Sequence, residues 1–191
     1  MNTLYPIFLK LESLNLLIVG GGKVCMEKLN FILKSSPDAV ITIVADKISE
    51  TIKTQYQNNK KIHLIEKAFE PDDVLGFQIV IAATNNKATN LEIYKAAKSN
   101  NILINVADTP ELCDFYLGSI VSKGDLKIGI STNGKSPTMA KRLREFFEAT
   151  LPEHIDELIV NMNVYREKLK GNLAEKATRL NELTKPFNEN L

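Results

Sequence analysis

The stretch Leu16-Leu17-Ile18-Val19-Gly20-Gly21-Gly22 decides the fold of this chain. Its apolar half is typical of a strand that is buried on both faces in a parallel sheet. From Val24 to Lys34 the apolar residues recur at the spacing of an amphipathic helix. The run Val40-Ile41-Thr42-Ile43-Val44 is rich in β-branched residues and predicts a second strand. A strand, a helix and a strand within about thirty residues predict a right-handed βαβ unit.

The same alternation continues towards residue 106. Further apolar runs predict strands over residues 62–65, 78–82 and 102–106, and a helix is predicted from Ala88 to Asn100. Strands that alternate with helices in this way predict a Rossmann-type α/β domain with a doubly wound parallel sheet.

The pattern changes after Asp108. Two short apolar stretches, Ser119–Ser122 and Leu126–Ser131, are separated only by Lys123-Gly124-Asp125, which predicts a β-hairpin. Ser136-Pro137 then predicts the start of a helix, because serine is a good N-cap and proline suits the first helical turn.

Helices are also expected over residues 153–170 and from there to near Pro186. We therefore predict three regions along the chain. They are a dinucleotide-binding Rossmann domain over residues 1–115, a β-hairpin and helix that form a dimerisation region over residues 116–151, and a helical region over residues 152–191.

Composition excludes several classes of protein. The chain has 191 residues with 24 Lys+Arg against 23 Asp+Glu, so its net charge of +1 disfavours a nucleic-acid binder. No apolar run approaches the roughly 18 residues of a membrane span, and the first residues lack a secretory pattern. Cys25 and Cys113 are too few for a disulfide framework, and His63 and His154 have no ligand-like spacing. We therefore expect a cytoplasmic protein with no resident metal.

The glycine run reads as the dinucleotide fingerprint Gly20-x-Gly22-x-x-Cys25, with cysteine where glycine or alanine is usual. It lies between a predicted strand and a predicted helix, where phosphates bind to free backbone N–H groups. Asp46 follows the second strand and can bind a ribose 2′-hydroxyl, which favours NAD over NADP. The alternative is a glycine turn that binds no cofactor. The predicted cofactor-binding residues are Gly20, Gly21, Gly22, Lys23, Val24, Asp46, Lys47 and Thr84.

Two later segments are more specific than a general dinucleotide-binding motif. Residues 105–115 read NVADTPELCDF, and residues 130–137 read ISTNGKSP. Together with Pro6–Leu11 and Leu17–Val24, they resemble the precorrin-2 dehydrogenase family of siroheme biosynthesis over residues 4–152. The resemblance implies NAD-dependent oxidation of precorrin-2 to sirohydrochlorin. It also implies a Rossmann domain, a homodimer with intertwined strands and a helical tail.

The resemblance assigns the catalytic role to Asp108, directly after the fifth predicted strand. Oxidation of a tetrapyrrole precursor also removes a proton, so a carboxylate general base is chemically reasonable. Two alternatives remain open: Asp108 caps the following turn, or Asp114 is the important carboxylate. Precorrin-2 carries several carboxylates, and the predicted substrate-binding residues are Asn105, Ser131, Thr132, Lys135 and Ser136.

Two other functions remain open. Some family members also insert ferrous iron into sirohydrochlorin, which would make the chain a bifunctional dehydrogenase and ferrochelatase. A Rossmann domain that senses NAD for a partner, without chemistry, would explain the glycine run but not the segments after Asp108.

Overall fold

The computed structural model describes residues 2–189, with side chains described up to residue 185. Five strands form a parallel sheet in the order β3-β2-β1-β4-β5. They are β1 (Asn15–Val19), β2 (Val40–Ala45), β3 (Ile62–Glu66), β4 (Ile79–Ala82) and β5 (Leu103–Val106). The connecting helices are α1 (Lys23–Ser35), α2 (Glu50–Tyr56) and α3 (Lys87–Ser99). This arrangement confirms the predicted α/β fold class.

Both faces of the sheet are covered by apolar side chains. Leu16 and Ile18 of β1 belong to one buried cluster, which includes residues of α1 and α2. Leu17 and Val19 belong to a second cluster, which includes residues of α3. Successive side chains of a strand point to opposite faces, so the unbroken apolar run of β1 supplies both layers. Burial of each such side chain stabilises the fold by about 1.5–3 kcal/mol.

The order of the strands reverses beside β1. The chain moves outward from β1 to β2 and β3, then crosses over to β4 on the other side of β1. At the carboxyl end, Val19 of β1 pairs with Ala82 of β4, so the turns after these two strands are neighbours. Open α/β sheets bind ligands in the crevice at such a reversal.

The chain divides into two compact units. One comprises Met1–Gly118 with Asn133–Lys135, and the other comprises Ser119–Thr132 with Ser136–Leu191. The second unit contains an antiparallel hairpin and three helices. Its elements are β6 (Ser119–Lys123), β7 (Leu126–Ile130), α4 (Pro137–Thr150), α5 (Ile155–Lys168) and α6 (Leu173–Glu189). The three predicted regions stay a prediction, because a division into two units does not test their boundaries.

Hydrogen bonds to the helical part of the second unit hold the tip of its hairpin. Asp156 of α5 accepts a hydrogen bond from the Asp125 N–H at 2.7 Å. Gly124 adopts a φ of +54° against the Asp156 carboxylate, where a Cβ would collide. Lys123 donates to the Leu151 carbonyl at 2.6 Å, so the hairpin is fixed to the junction between α4 and α5.

Two details differ from the predicted elements. Helix α2 was not predicted, and α6 extends past Pro186 to Glu189. Among the helices within residues 2–189, none combines the length and the apolar character needed to cross a membrane.

Candidate dinucleotide-binding site

Gly20 makes the turn after β1 possible. Its φ of +123° lies outside the range that other residues adopt readily. A Cβ at this position would lie only 2.7 Å from the Ala83 carbonyl carbon. The Gly20 N–H donates to the Val44 carbonyl at 2.8 Å, which continues the pairing of β1 with β2. Gly20 therefore lets the turn lie directly against the backbone that follows β4.

Gly21 brings the turn against the loop that follows β2. A Cβ on Gly21 would lie 2.8 Å from the Ile48 Cα, and the Gly21 carbonyl accepts a hydrogen bond from the Ser49 N–H at 2.9 Å. Only a residue without a side chain allows these two segments to approach so closely.

Gly22 faces open space. A Cβ there would meet no atom within 4 Å, and Gly22 is the N-cap of α1 without a side chain to cap the helix. The first turn of α1 contains no acidic residue, and its first residue, Lys23, is exposed. Uncapped N–H groups and the partial positive charge of a helix N-terminus bind phosphate. The geometry therefore fits the pyrophosphate of a dinucleotide.

The loop after β2 carries Asp46, the residue predicted to bind the cofactor ribose. Asp46 and Lys47 are exposed, whereas Ile48 is completely buried at 0% exposure. The Ile48 N–H donates to Glu66 Oε1 at 2.9 Å, so a residue from the end of β3 contacts this loop. Sequence reasoning missed Glu66. The signal that could have found it is an acidic residue at the carboxyl end of a strand beside β2.

Thr84 lies in the turn after β4, but its hydroxyl is engaged within the protein. It donates to Asn90 Oδ1 at 2.6 Å and accepts from the Asn86 N–H at 3.2 Å. Asn90 is buried in α3, so these contacts stabilise the start of that helix. Thr84 therefore borders the crevice with a hydroxyl that already has partners.

Asp108 is exposed at the carboxyl end of β5. Its φ is +57°, a left-handed conformation that aspartate tolerates better than most residues. Strand β5 is separated from β1 by β4 alone, which corresponds to roughly 10 Å at ordinary strand spacing. The structure thus brings Asp108 and the glycine turn to the same edge of the sheet.

The residues after Asp108 cover the free edge of β5 with side chains. The Cys113 thiol accepts from the Val106 N–H at 3.2 Å and donates to the Val106 carbonyl at 3.3 Å. The Asn105 amide, which is buried, donates to the Phe115 carbonyl at 2.8 Å. Burial is the main cause that raises the pKa of the Cys113 thiol. Asn105 and Cys113 therefore fix the loop that carries Asp108.

Asp114 is occupied by contacts within the protein. Its carboxylate accepts from the Ile104 N–H at 3.1 Å and pairs with Lys98 at 2.7 Å. Its own N–H donates to the Ile104 carbonyl at 2.8 Å. Asp114 thus serves as a substitute for a neighbouring strand. Its structural contacts favour Asp108 as the carboxylate available to a ligand.

The loop before α4 contains the other residues that are predicted to bind the substrate. Thr132 Oγ1 donates to the Ser136 carbonyl at 3.1 Å and accepts from the Ser136 N–H at 3.2 Å. Ser136 Oγ accepts from the Met139 N–H at 3.2 Å and so caps α4. Lys135 and Ser131 are exposed. The two hydroxyls therefore shape the loop, and Lys135 supplies an exposed positive charge.

Within the described part of the chain, no group of three or more His, Cys, Asp or Glu side chains is placed to hold a metal ion.

Comparisons with known proteins place these features in a family. Residues 7–119 match a family described as NAD(P)-binding, and residues 123–150 match the sirohaem biosynthesis protein central family. The first match confirms the NAD(P)-binding domain predicted from the glycine run.

Curated relatives include two proteins named siroheme synthase. One, from Vesicomyosocius okutanii subsp. Calyptogena okutanii, is 37% identical over 166 residues, which cover 87% of this chain and 35% of the relative. The other, from Methylococcus capsulatus, is 36% identical over 174 residues, which cover 91% of this chain and 36% of the relative. The chain thus spans about a third of the length of these relatives.

A solved structure named SirC, precorrin-2 dehydrogenase, resembles nearly the whole chain. It is 26% identical with a TM-score of 0.75, and the match covers 94% of this chain and 89% of that one.

Proposed function

We propose that this chain, which belongs to the NAD(P)-binding family that matches residues 7–119, catalyses the NAD-dependent oxidation of precorrin-2 to sirohydrochlorin. The observation that carries the proposal is the glycine turn and the exposed Asp108 at one edge of the sheet. The match to a precorrin-2 dehydrogenase over 94% of the chain supports the choice of substrate.

The glycine turn and the loop after β2 would hold the cofactor. The pyrophosphate would bind at Gly22 and the first N–H groups of α1, at Lys23 and Val24, where the backbone is open. Asp46 would accept hydrogen bonds from the adenosine ribose and disfavour a 2′-phosphate, so we propose NAD rather than NADP. When bound, NAD supplies the two-electron acceptor of the oxidation.

Asp108 would remove the proton that the oxidation releases. Its carboxylate is exposed, and its left-handed backbone follows directly from the end of β5. A residue held in a sparsely populated conformation by its surroundings is a feature of functional sites. A general base positioned in this way contributes roughly 10²–10⁴-fold to the rate.

The loop before α4 would bind the carboxylates of the substrate. Lys135 offers an exposed ammonium group, Ser131 and Thr132 lie in the same loop, and Ser136 caps the N-terminus of α4. Asn105 would act on the substrate through the loop that it fixes, because its amide already donates to Phe115.

We further propose that the chain forms a homodimer in the cytoplasm. Among the described residues, the hairpin β6–β7 packs on α4 but pairs with no third strand, and an edge strand can pair with a strand of another chain. On α4, the side chains of Met139, Leu143 and Phe146 are exposed and apolar. A second copy of the chain would cover these surfaces.

The proposal is tested by anaerobic incubation of the protein with enzymatically made precorrin-2, with and without NAD. We expect sirohydrochlorin absorbance and an equimolar amount of NADH only when NAD is present. Tight NAD binding without turnover would instead support the NAD-sensing alternative. Added ferrous iron tests the chelatase alternative, since iron-dependent loss of sirohydrochlorin without NAD would show a second activity.

A further inference from the structure

A carboxylate outside the proposed cofactor ligands contacts the loop that carries one of them. Glu66 is the last residue of β3 and pairs in register with Ala45, the last residue of β2. Its Oε1 accepts a hydrogen bond from the Ile48 N–H at 2.9 Å. Lys53 of α2 approaches the same oxygen at 3.0 Å. One oxygen of Glu66 therefore joins β3, α2 and the loop after β2.

The glycine turn also contacts this loop. The Ser49 N–H donates to the Gly21 carbonyl at 2.9 Å, and the Ile48 backbone packs against the bare Cα of Gly21. The Ile48 side chain is fully buried. The loop is thus held by contacts with both Gly21 and Glu66, and Asp46 and Lys47 are its exposed residues.

We propose that Glu66 is a positioning residue for the cofactor ribose, because it holds the Asp46–Lys47 segment in place through the Ile48 N–H. This inference rests on the proposed function, in which Asp46 binds the ribose of NAD. Glu66 itself need not touch the cofactor. The donors that face it are an N–H and an ammonium group, so it acts on the loop as an acceptor.

The charge state of Glu66 supports this role. The hydrogen bond from the Ile48 N–H, together with Lys53, holds the pKa of the Glu66 carboxyl below its usual range. The carboxylate is therefore ionised at neutral pH, which gives the stronger acceptor.

Glu50 provides a matched comparison. It also pairs with Lys53, at 3.3 Å, but its side chain is 81% exposed and it has no bond to Ile48. If surface charge alone influenced NAD affinity, substitution of either glutamate would change it. If the influence passes through the loop, only substitution of Glu66 would change NAD affinity.

The test is calorimetric titration of NAD into the 191-residue protein and its variants. Glu66→Met keeps the length of the side chain but cannot accept from Ile48, and we expect its Kd for NAD to rise roughly three- to thirtyfold. Glu66→Gln retains an acceptor oxygen and should stay within about twofold of the unmodified protein. Glu50→Gln is the control and should bind NAD normally.

A double-mutant cycle separates positioning from a general structural role. If Glu66 acts through Asp46, then Glu66→Met should have no further effect on NAD affinity in an Asp46→Ala background. Thermal unfolding of each variant without ligand verifies folding, and Glu66→Asp replaces Glu66→Met if the latter does not fold.

The outcomes distinguish this inference from the proposed function. Absence of NAD binding by the unmodified protein would overturn both. Normal NAD binding with an unchanged Kd for Glu66→Met would overturn the positioning role alone. An effect of Glu66→Met that is equally large in the Asp46→Ala background would overturn it as well.

Discussion

The three consecutive glycines after β1 have three different environments. Gly20 has a positive φ, Gly21 packs against the backbone of Ile48, and Gly22 faces open space. The first two are required by the fold. Gly22 is not, so its lack of a side chain points to a ligand.

Gly22→Ser is predicted to separate ligand binding from stability. Serine is a favourable N-cap, and its side chain has room, so the unfolding temperature without ligand should stay equal or rise. The same hydroxyl would occupy the N–H groups that we assign to the pyrophosphate. NAD affinity measured by titration should therefore fall about tenfold or more.

Gly21→Ala is the contrasting control. Its new Cβ would meet the backbone of Ile48 at 2.8 Å, so it should destabilise the protein by about 1–3 kcal/mol in thermal or denaturant unfolding. If Gly22→Ser destabilised the protein to the same degree, or bound NAD normally, the assignment of Gly22 would be wrong.

The sequence could locate the loop after β5, which we propose to be catalytic, but could not choose between its aspartates. Asp108 lies two residues after the end of β5 and Asp114 eight residues after it, and both carry carboxylates that a substrate could contact. The choice depends on tertiary hydrogen bonds. Asp114 is bound to Ile104 and Lys98, whereas Asp108 is exposed. For a similar reason, sequence patterns could not reveal the contact between Glu66 and Ile48.

Among the helices and strands, those formed by continuous apolar runs of sequence were the most predictable. All five parallel strands were predicted. Four of them are largely buried and mostly apolar, whereas β3, in which only Ile62 is buried, was predicted from its short apolar run. Helix α2 was missed because it has only seven residues, too few for a clear helical period. Its signal was the N-cap Ser49, whose hydroxyl accepts from the Ile52 N–H at 3.5 Å.

Helix α1 places a cysteine at the last position of the fingerprint. The Cys25 side chain is fully buried against the sheet, where the motif usually has a small residue. Burial raises the pKa of the Cys25 thiol to about 12. This position is therefore occupied by a thiol that stays protonated under ordinary conditions.

We predict that Cys25 resists alkylation in the folded protein at about pH 8, since the thiolate is the reactive form. Mass spectrometry after iodoacetamide treatment should find it labelled only after unfolding. The contribution of the thiol to stability is present below its ordinary pKa of 9.0 and is lost as pH rises towards about 12. Rapid labelling of native Cys25 would show that α1 does not pack as described.

Considered as one molecule, the chain combines a dinucleotide-binding unit with a unit built on a hairpin. The segments 105–115 and 130–137 carried the family resemblance, and the comparisons confirm the family. The oligomeric state could not be derived from the sequence in the same way, because exposed apolar residues do not identify the partner that covers them.

The proposed homodimer predicts a mass near twice 21.4 kDa by light scattering. Phe146→Glu places a charge on the exposed apolar face of α4 and should shift the protein towards the monomer. The exposed Glu153→Gln, outside this face, is the control. A monomeric mass for the unmodified protein would contradict the dimer.

The most direct test of Asp108 as the general base is the single-turnover rate of NADH formation from precorrin-2 at saturating NAD. For Asp108→Asn, which keeps the shape of the side chain but loses the base, we predict a rate lower by about 100-fold or more. We also expect an NAD affinity within about twofold of the unmodified protein and a normal rate for the exposed control Asp72→Asn. An unchanged rate for Asp108→Asn would contradict the proposed role of Asp108.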